Sequence, residues 1–473
     1  MNSSLSLPGI VLAAALLAGC ASIKPPPLPG VDAPVATQWH APRAHDGRVD
    51  ELAHWWGQFN DPLMASLIED GQYVSGTLAQ AFARISDAQA ARVGGIAALL
   101  PSLDAVMDAS RGRSELGSAL GSSSAANLQA SWELDLFGAN RAAAEAAQAR
   151  LEAGLADWHD ARVSVAAEIA TTYIELRACE AQVVQAELDA QSRDETSRLT
   201  DLMADGGFQS PAEADLAAAS AAQGHVTLAE RRGQCENLIK SLVALTARDE
   251  PQLRSELAAA DAQLPQPAEF NVAAVPAQVL VQRPDIYAAA RDVVVASAES
   301  AEAQALRWPR VTLNGSIGST RIKEQGGASS NGTLWTVGPV AVTLPLFDGG
   351  TRRANAKAAE VRYEVATVVY AERLRNAIRE VETALVSLQS TATRGDSARR
   401  AVERFERSFR AVESRYRVGT ASLFELEDAR RSMVSARVAL IELQRERIAS
   451  WISLYRAVGG GWSAAALEQI SGV

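Results

Sequence analysis

A chain of 473 residues is long enough for two or three ordinary domains, yet its 48% hydrophobic content includes only 5% aromatic residues, an unusual balance for several compact globular cores. Alanine dominates the apolar set, so long helices are expected. Lys plus Arg number 45 against 56 Asp plus Glu, a formal charge of −11 with no basic stripe; this argues against nucleic-acid binding and leaves proteins and small solutes as partners.

The chain opens on an apolar run, Ile10 to Ala18, too short to stay in a bilayer as a helix and ending Leu-Leu-Ala-Gly-Cys at Cys20. That ending resembles the bacterial lipobox, although Met1 to Pro8 lacks the usual basic residue. The resemblance implies a lipoprotein signal peptide over 1–19, lipidation of Cys20 and, with Ala21 next, sorting to the outer membrane. Residues 20–50, Pro-rich from Lys24 to Pro34, read as a lipid anchor and extended tether. No apolar stretch of about 18 residues follows Cys20, so any membrane crossing must use β-strands.

From there the same order of parts occurs twice, about 210 residues apart, giving repeats over 51–263 and 264–473. Pro101 matches Pro309, Leu134-Asp-Leu-Phe-Gly138 matches Leu344-Pro-Leu-Phe-Asp348, and Gly207-Phe-Gln-Ser210 matches Gly419-Thr-Ala-Ser422. Alternating residues such as Leu103, Ala105, Met107 and Ala109 predict a β-hairpin over about 102–136, and Val311, Leu313, Gly315 and Ile317 predict another over about 310–346. After each hairpin comes a Gly- and Pro-poor run of about 70 residues, the composition of a very long helix. In the second repeat Leu374, Ile378, Val381, Leu385, Leu388, Ala398, Val402, Phe405, Phe409, Val412 and Tyr416 trace a coiled-coil seam that resumes past Gly419 at Leu426. By pattern alone the hairpins fit soluble amphipathic strands as well as transmembrane barrel strands; the expected fold is mainly α with a membrane β part. Four strands cannot close a barrel in lipid, so several copies must share one, and three copies would supply twelve strands.

Three sequence words in order on this duplicated scaffold resemble TolC-type outer-membrane factors, specifically the NodT-like lipoprotein branch that serves resistance-nodulation-division pumps. They are Trp55-Trp56-Gly-Gln-Phe59-Asn-Asp61-Pro62-Leu63, Ser131-Trp-Glu-Leu-Asp-Leu-Phe-Gly138 and Arg283-Pro-Asp-Ile286. The resemblance covers nearly the whole mature chain, although Gly71 to Leu78 lacks the Asn usual there. It implies a homotrimer with a twelve-stranded outer-membrane β-barrel and a periplasmic α-barrel. The partners would be outer-membrane lipid, a periplasmic adaptor and an inner-membrane pump, and the function an exit duct for drugs or other small solutes. A duct for type I protein secretion shares the architecture, and a lipid-anchored coiled-coil scaffold is the reading from another class.

No catalytic signature occurs, and neither a cofactor nor covalent chemistry is expected; His40, His45 and His54 are close enough in sequence to bind a metal ion but read as solvated N-terminal residues. Function is expected where the duct narrows, at the helical turns. By resemblance to the family's gate, Phe424 matches the apolar constriction, Asp428 the acidic ring and Arg431 its salt-bridging partner; a solvated helical face is the bland alternative, and Glu425 and Glu427 match nothing. Gly206, Gly207, Ser210, Val418, Gly419 and Ser422 read as caps that an adaptor would have to meet. Cys179 and Cys235 each lie 28 residues from Gly207, so a hairpin turning there brings them to one height. A disulfide is expected, the other reading being two small buried residues that never meet.

Overall fold

The structure, a computed structural model, describes residues 55–113, 120–259, 264–265, 283–324 and 329–462. Cys20, His40, His45 and His54 lie outside the described residues. The described elements are α1 (Pro62–Val74), α2 (Gly76–Ala97), β1 (Ser102–Gly112), β2 (Gly121–Leu134), α3 (Ala139–Asp205), α4 (Pro211–Thr246), α5 (Glu250–Ala259), α6 (Pro284–Ala305), β3 (Arg310–Glu324), β4 (Ser329–Thr343), α7 (Thr351–Arg417) and α8 (Leu423–Ala457). The fold is mainly helical with one four-stranded antiparallel sheet, and the hairpin followed by a 67-residue helix occurs twice. No helix among the described residues is long and apolar enough to cross a membrane.

Two compact units divide the chain, and each draws on both sequence repeats. The first takes Phe82–Ala156 and Tyr287–Glu372. Its sheet has the order β1-β2-β3-β4, so β2 of one repeat pairs with β3 of the other, from Gly121↔Glu324 to Leu134↔Val311. Both return strands stop short of the Leu136 and Leu346 expected from the sequence. After Leu134 the Asp135 carboxylate turns back to accept from the backbone N–H groups of Asn140 (3.3 Å) and Arg141 (2.9 Å), so the chain leaves the ladder to cap α3. In the second repeat Pro345 has no N–H to donate to a ladder. Asp348, three alignment positions later than Asp135, does the same capping there by accepting from Gly350 (2.9 Å) and Arg352 (3.1 Å).

The helices of this unit explain the alanine content. On α3, Ala142, Ala146, Ala149, Ala153 and Ala156 are buried at steps of four and three, and Gly95 of α2 lies so close to Ala144 that an added Cβ would sit 3.1 Å from its Cα. Small side chains at heptad positions let helix axes approach, a packing that large aromatics would prevent.

Among the described residues the second unit takes those up to Ala81, Asp157–Ile286 and those from Arg373 onward. Here two of the sequence words find their work. Asp61 caps α1 by accepting from Met64 N–H (3.0 Å) and accepts from the buried Tyr173 hydroxyl (2.6 Å), which in turn accepts from Arg177 Nε (3.0 Å). Arg283, also buried, grips Asp285 with two donors (2.9 and 2.8 Å) and donates to Glu380 (2.9 Å) and the Ala457 carbonyl (2.7 Å). The predicted α7 seam is buried at Leu374, Val381, Leu385, Leu388, Phe409 and Tyr416, but Phe405 remains 42% exposed.

Candidate functional site at the helical turns

Each long helix ends by the same backbone chemistry. At the first turn Gly207 adopts φ +75°, with its N–H on Ala204 O (2.9 Å) and Phe208 N–H on Met203 O (2.8 Å). At the second, Gly419 adopts φ +77°, with bonds to Tyr416 O (2.9 Å) and from Thr420 N–H to Arg415 O (2.8 Å). Both are Schellman closures with glycine in the left-handed position, which other residues enter only at a cost. The return helices then begin with capping boxes, Ser210 with Glu213 and Ser422 with Glu425. Glu425, unassigned from the sequence, is thus a cap, and its carboxyl is held below the usual carboxylate range chiefly by the Ser422 backbone N–H.

The turns leave Gly206, Gly207, Ser210, Val418, Gly419 and Ser422 exposed, as an end surface requires. They also expose Phe208 (85%) and Val418 (72%), of which the first escaped the sequence reading. Phe424 is 74% exposed, and Asp428 and Arg431 are exposed too, placing the three at positions i, i+4 and i+7 on one face of α8. Among the described residues Asp428 and Arg431 form no ion pair within the chain. Cys179 on α3 and Cys235 on α4 are joined by a disulfide with Cα atoms 5.6 Å apart.

The ion pair that the chain does make lies one residue earlier. Arg430 is 1% exposed, pairs with Glu427, and donates to the Ser192 carbonyl (3.2 Å) and Thr196 Oγ1 (2.5 Å) of α3. Its guanidinium carbon lies 5.8 Å from the Phe409 ring centre of α7. Glu427 reaches Arg193 of α3 (3.5 Å) and accepts from Ser220 of α4 (3.0 Å), while Arg193 also pairs with Asp189 (2.8 Å). One residue cluster thus ties α8 to the other helices of the two hairpins. Burial lowers the Arg430 pKa, only partly offset by Glu427 and Asp189, yet a guanidinium stays charged at any working pH. Two buried polar atoms here, Asp189 Oδ1 and Arg430 Nε, have no protein partner, and both residues line a cavity of about 290 Å³. Closer to the turn, Thr200 and the Tyr416 hydroxyl share a 2.6 Å hydrogen bond between α3 and α7. The Glu427/Arg430 and Asp189/Arg193 spacings of three and four were visible in the sequence, but burial was not.

Nothing in this site is arranged for bond chemistry, and no metal cluster exists among the described residues. Carboxylates and apolar side chains are displayed on the paired helix ends, with a polar clamp behind them. The family described as outer membrane efflux protein matches residues 74–248 and 275–460. The chain belongs to the outer membrane efflux protein family. The pyoverdine export outer membrane protein OpmQ of Pseudomonas putida is 30% identical over 469 residues, covering 95% of this chain and 96% of the relative. Nodulation protein T of Rhizobium leguminosarum bv. trifolii is 30% identical over 431 residues, covering 88% and 90%. The structure of the outer-membrane channel OprN superposes with TM-score 0.79 at 27% identity, over 93% of this chain and 99% of that one. The protein is accordingly an outer-membrane component of an efflux system with a periplasmic helical extension, in a family of channels rather than enzymes.

Proposed function

We propose that three copies of this chain form the passive exit duct of a tripartite efflux system for drugs or other small solutes, with a periplasmic adaptor and an inner-membrane pump as partners. The observation that carries the reading is the sheet itself. Its outer strands β1 and β4 each pair on one side only among the described residues, and four strands with two open edges cannot rest in hydrocarbon, where every backbone donor needs a partner. Three copies close twelve strands, an even number within the usual range for such barrels. Residues 1–19 are the signal peptide in this reading, Cys20 carries the lipid, 20–50 form the tether, and the repeats 51–263 and 264–473 each give one hairpin and one helical pair.

Phe424, Asp428 and Arg431 form the gate. Repeated three times around an axis, exposed Asp428 carboxylates would repel one another and attract cations, and Arg431 would pair with an acid of a neighbouring copy. The adaptor meets the surface around Gly206, Gly207, Ser210, Val418, Gly419 and Ser422. The test is drug and dye accumulation in a bacterium lacking its own exit duct, complemented with this chain and a co-expressed adaptor and pump. Lowered accumulation supports the duct; a correctly assembled trimer that leaves accumulation unchanged with every co-expressed adaptor and pump moves the reading to protein secretion.

A further inference from the structure

The sheet has two unlike faces, and one changes character abruptly near the hairpin turns. Register places Leu103, Ala130, Gly315 and Val337 in one row, Ala105, Leu128, Ile317 and Trp335 in the next on the same side, then Met107, Ala126, Ser319 and Thr333. Leu103, Met107, Leu128, Ile317, Trp335 and Val337 are all exposed, so none of the described residues covers this apolar face. The opposite face carries Asp104, Asp108, Asn127, Gln129, Asn314 and Ser316, and its residues on β2 and β3 are mostly half-buried, as on the concave side of a curved sheet. Lipid therefore belongs on the first face and water on the second.

Past the apolar rows the first face turns basic. Arg111 and Lys323 flank Ser122 in one row, and Arg321 lies beside Ser124 in the row before it. These residues border a depression of about 450 Å³. All three cations are exposed, and among the described residues none has a carboxylate partner; the face as a whole bears no acid from β1 to β4. The apolar rows from Val311 to Ser319 of β3 cover about 27 Å along the strand, or about 20 Å of depth at the usual tilt, close to the apolar band of an outer-membrane barrel. The cations thus stand where hydrocarbon gives way to headgroups. They are at the end of the strands away from the long helices, hence toward the outer leaflet.

We propose that Arg111, Arg321 and Lys323, with the hydroxyls of Ser122 and Ser124, bind the phosphate-bearing headgroup of an outer-leaflet glycolipid. The inference rests on the barrel reading above. Strands about 4.8 Å apart place Arg111 and Lys323 about 10 Å from each other across β2, a spacing that two phosphates on one sugar headgroup can bridge through long, flexible side chains. Unpaired cations on a lipid-facing surface are costly, and an anionic headgroup at that level removes the cost.

The test uses the full-length purified protein and native mass spectrometry with diphosphoryl lipid A, its dephosphorylated form and phosphatidylethanolamine as separate probes. The wild type should retain diphosphoryl lipid A at concentrations about tenfold lower than either other lipid, a preference of about 1.4 kcal/mol. The combined variant Arg111→Gln/Arg321→Gln/Lys323→Gln should erase that preference, and Arg111→Lys/Arg321→Lys should keep most of it. Equal retention of the three lipids by the wild type overturns the site, as does undiminished preference in the Gln variant. Displacement by millimolar inorganic phosphate would also overturn it, as a site for soluble anions. Heat-dependent gel mobility of the same samples reports the barrel separately: a heat-modifiable trimer without lipid preference fails this inference alone, and no heat-modifiable species fails the barrel reading.

Discussion

Glu427 and Arg430 show how much one largely buried pair can hold near the end of a helical hairpin. Arg430 is enclosed on α8 with Glu427 as its paired acid, so Glu427→Gln leaves a buried cation with only Asp189 to offset it. The expected cost is about 3 kcal/mol, seen as faster amide exchange over the first turns of α8, whereas the joint change Glu427→Leu/Arg430→Met should restore most of the protection. His159 supplies a pH dependence. Its ring lies between Trp158 (5.0 Å) and Trp462 (6.2 Å), and burial, aided by Arg162, lowers its pKa from 6.5 to about 4. The unfolded chain therefore takes up a proton that the folded chain refuses, and stability falls as pH drops from 6.5 toward 4. Melting followed across that window should show a shallower decline for His159→Phe than for the wild type; identical slopes would remove His159 as the cause.

At the scale of elements, the two helical hairpins share their turn chemistry and differ in how they are held. Loss of either capping serine, Ser210→Ala or Ser422→Ala, should cost about 1 kcal/mol, since each side chain satisfies a backbone donor at the helix start. Only the first hairpin carries a covalent tie among the described residues, the disulfide between Cys179 and Cys235. Closing a loop with sequence separation 56 is worth about 4 kcal/mol in chain entropy. Reduction should therefore speed amide exchange in α3 and α4 between the two cysteines and leave α7 and α8 unchanged. Equal acceleration in both hairpins would show that the second depends on the first.

For the whole molecule, the proposed trimer would close the sheet edges and bring the exposed α8 faces of three copies together. Asp428→Ala should raise passive uptake of large dyes through the assembled duct severalfold if Asp428 is the acid with which Arg431 of a neighbouring copy pairs, because its loss frees the arginine that would hold two copies together. Unchanged uptake, with the trimer intact, would assign Asp428 to a solvated surface. Cys20→Ser should abolish incorporation of labelled palmitate and leave the trimer in the outer membrane, since in the proposed barrel twelve strands hold the chain in the bilayer independently of an acyl group.

The duplicated order of parts, the hairpins near 102–136 and 310–346, the long helices and the turns at Gly207 and Gly419 were all legible in the sequence. Each is written in local terms: alternation, helix-forming composition, a glycine where only a left-handed residue fits. The strand ends at Leu134 and Thr343 were less so, because a capping carboxylate and a missing N–H compete with the ladder there. Tertiary structure decided that β2 of one repeat pairs with β3 of the other, and that each compact unit draws on both repeats. It also decided that Glu427 and Arg430 are enclosed while Asp428 and Arg431 face outward. Adjacent charges on one helix look alike along a sequence; a rotation of about 100° per residue separates the buried one from the exposed one, and only the packed neighbours say which is which.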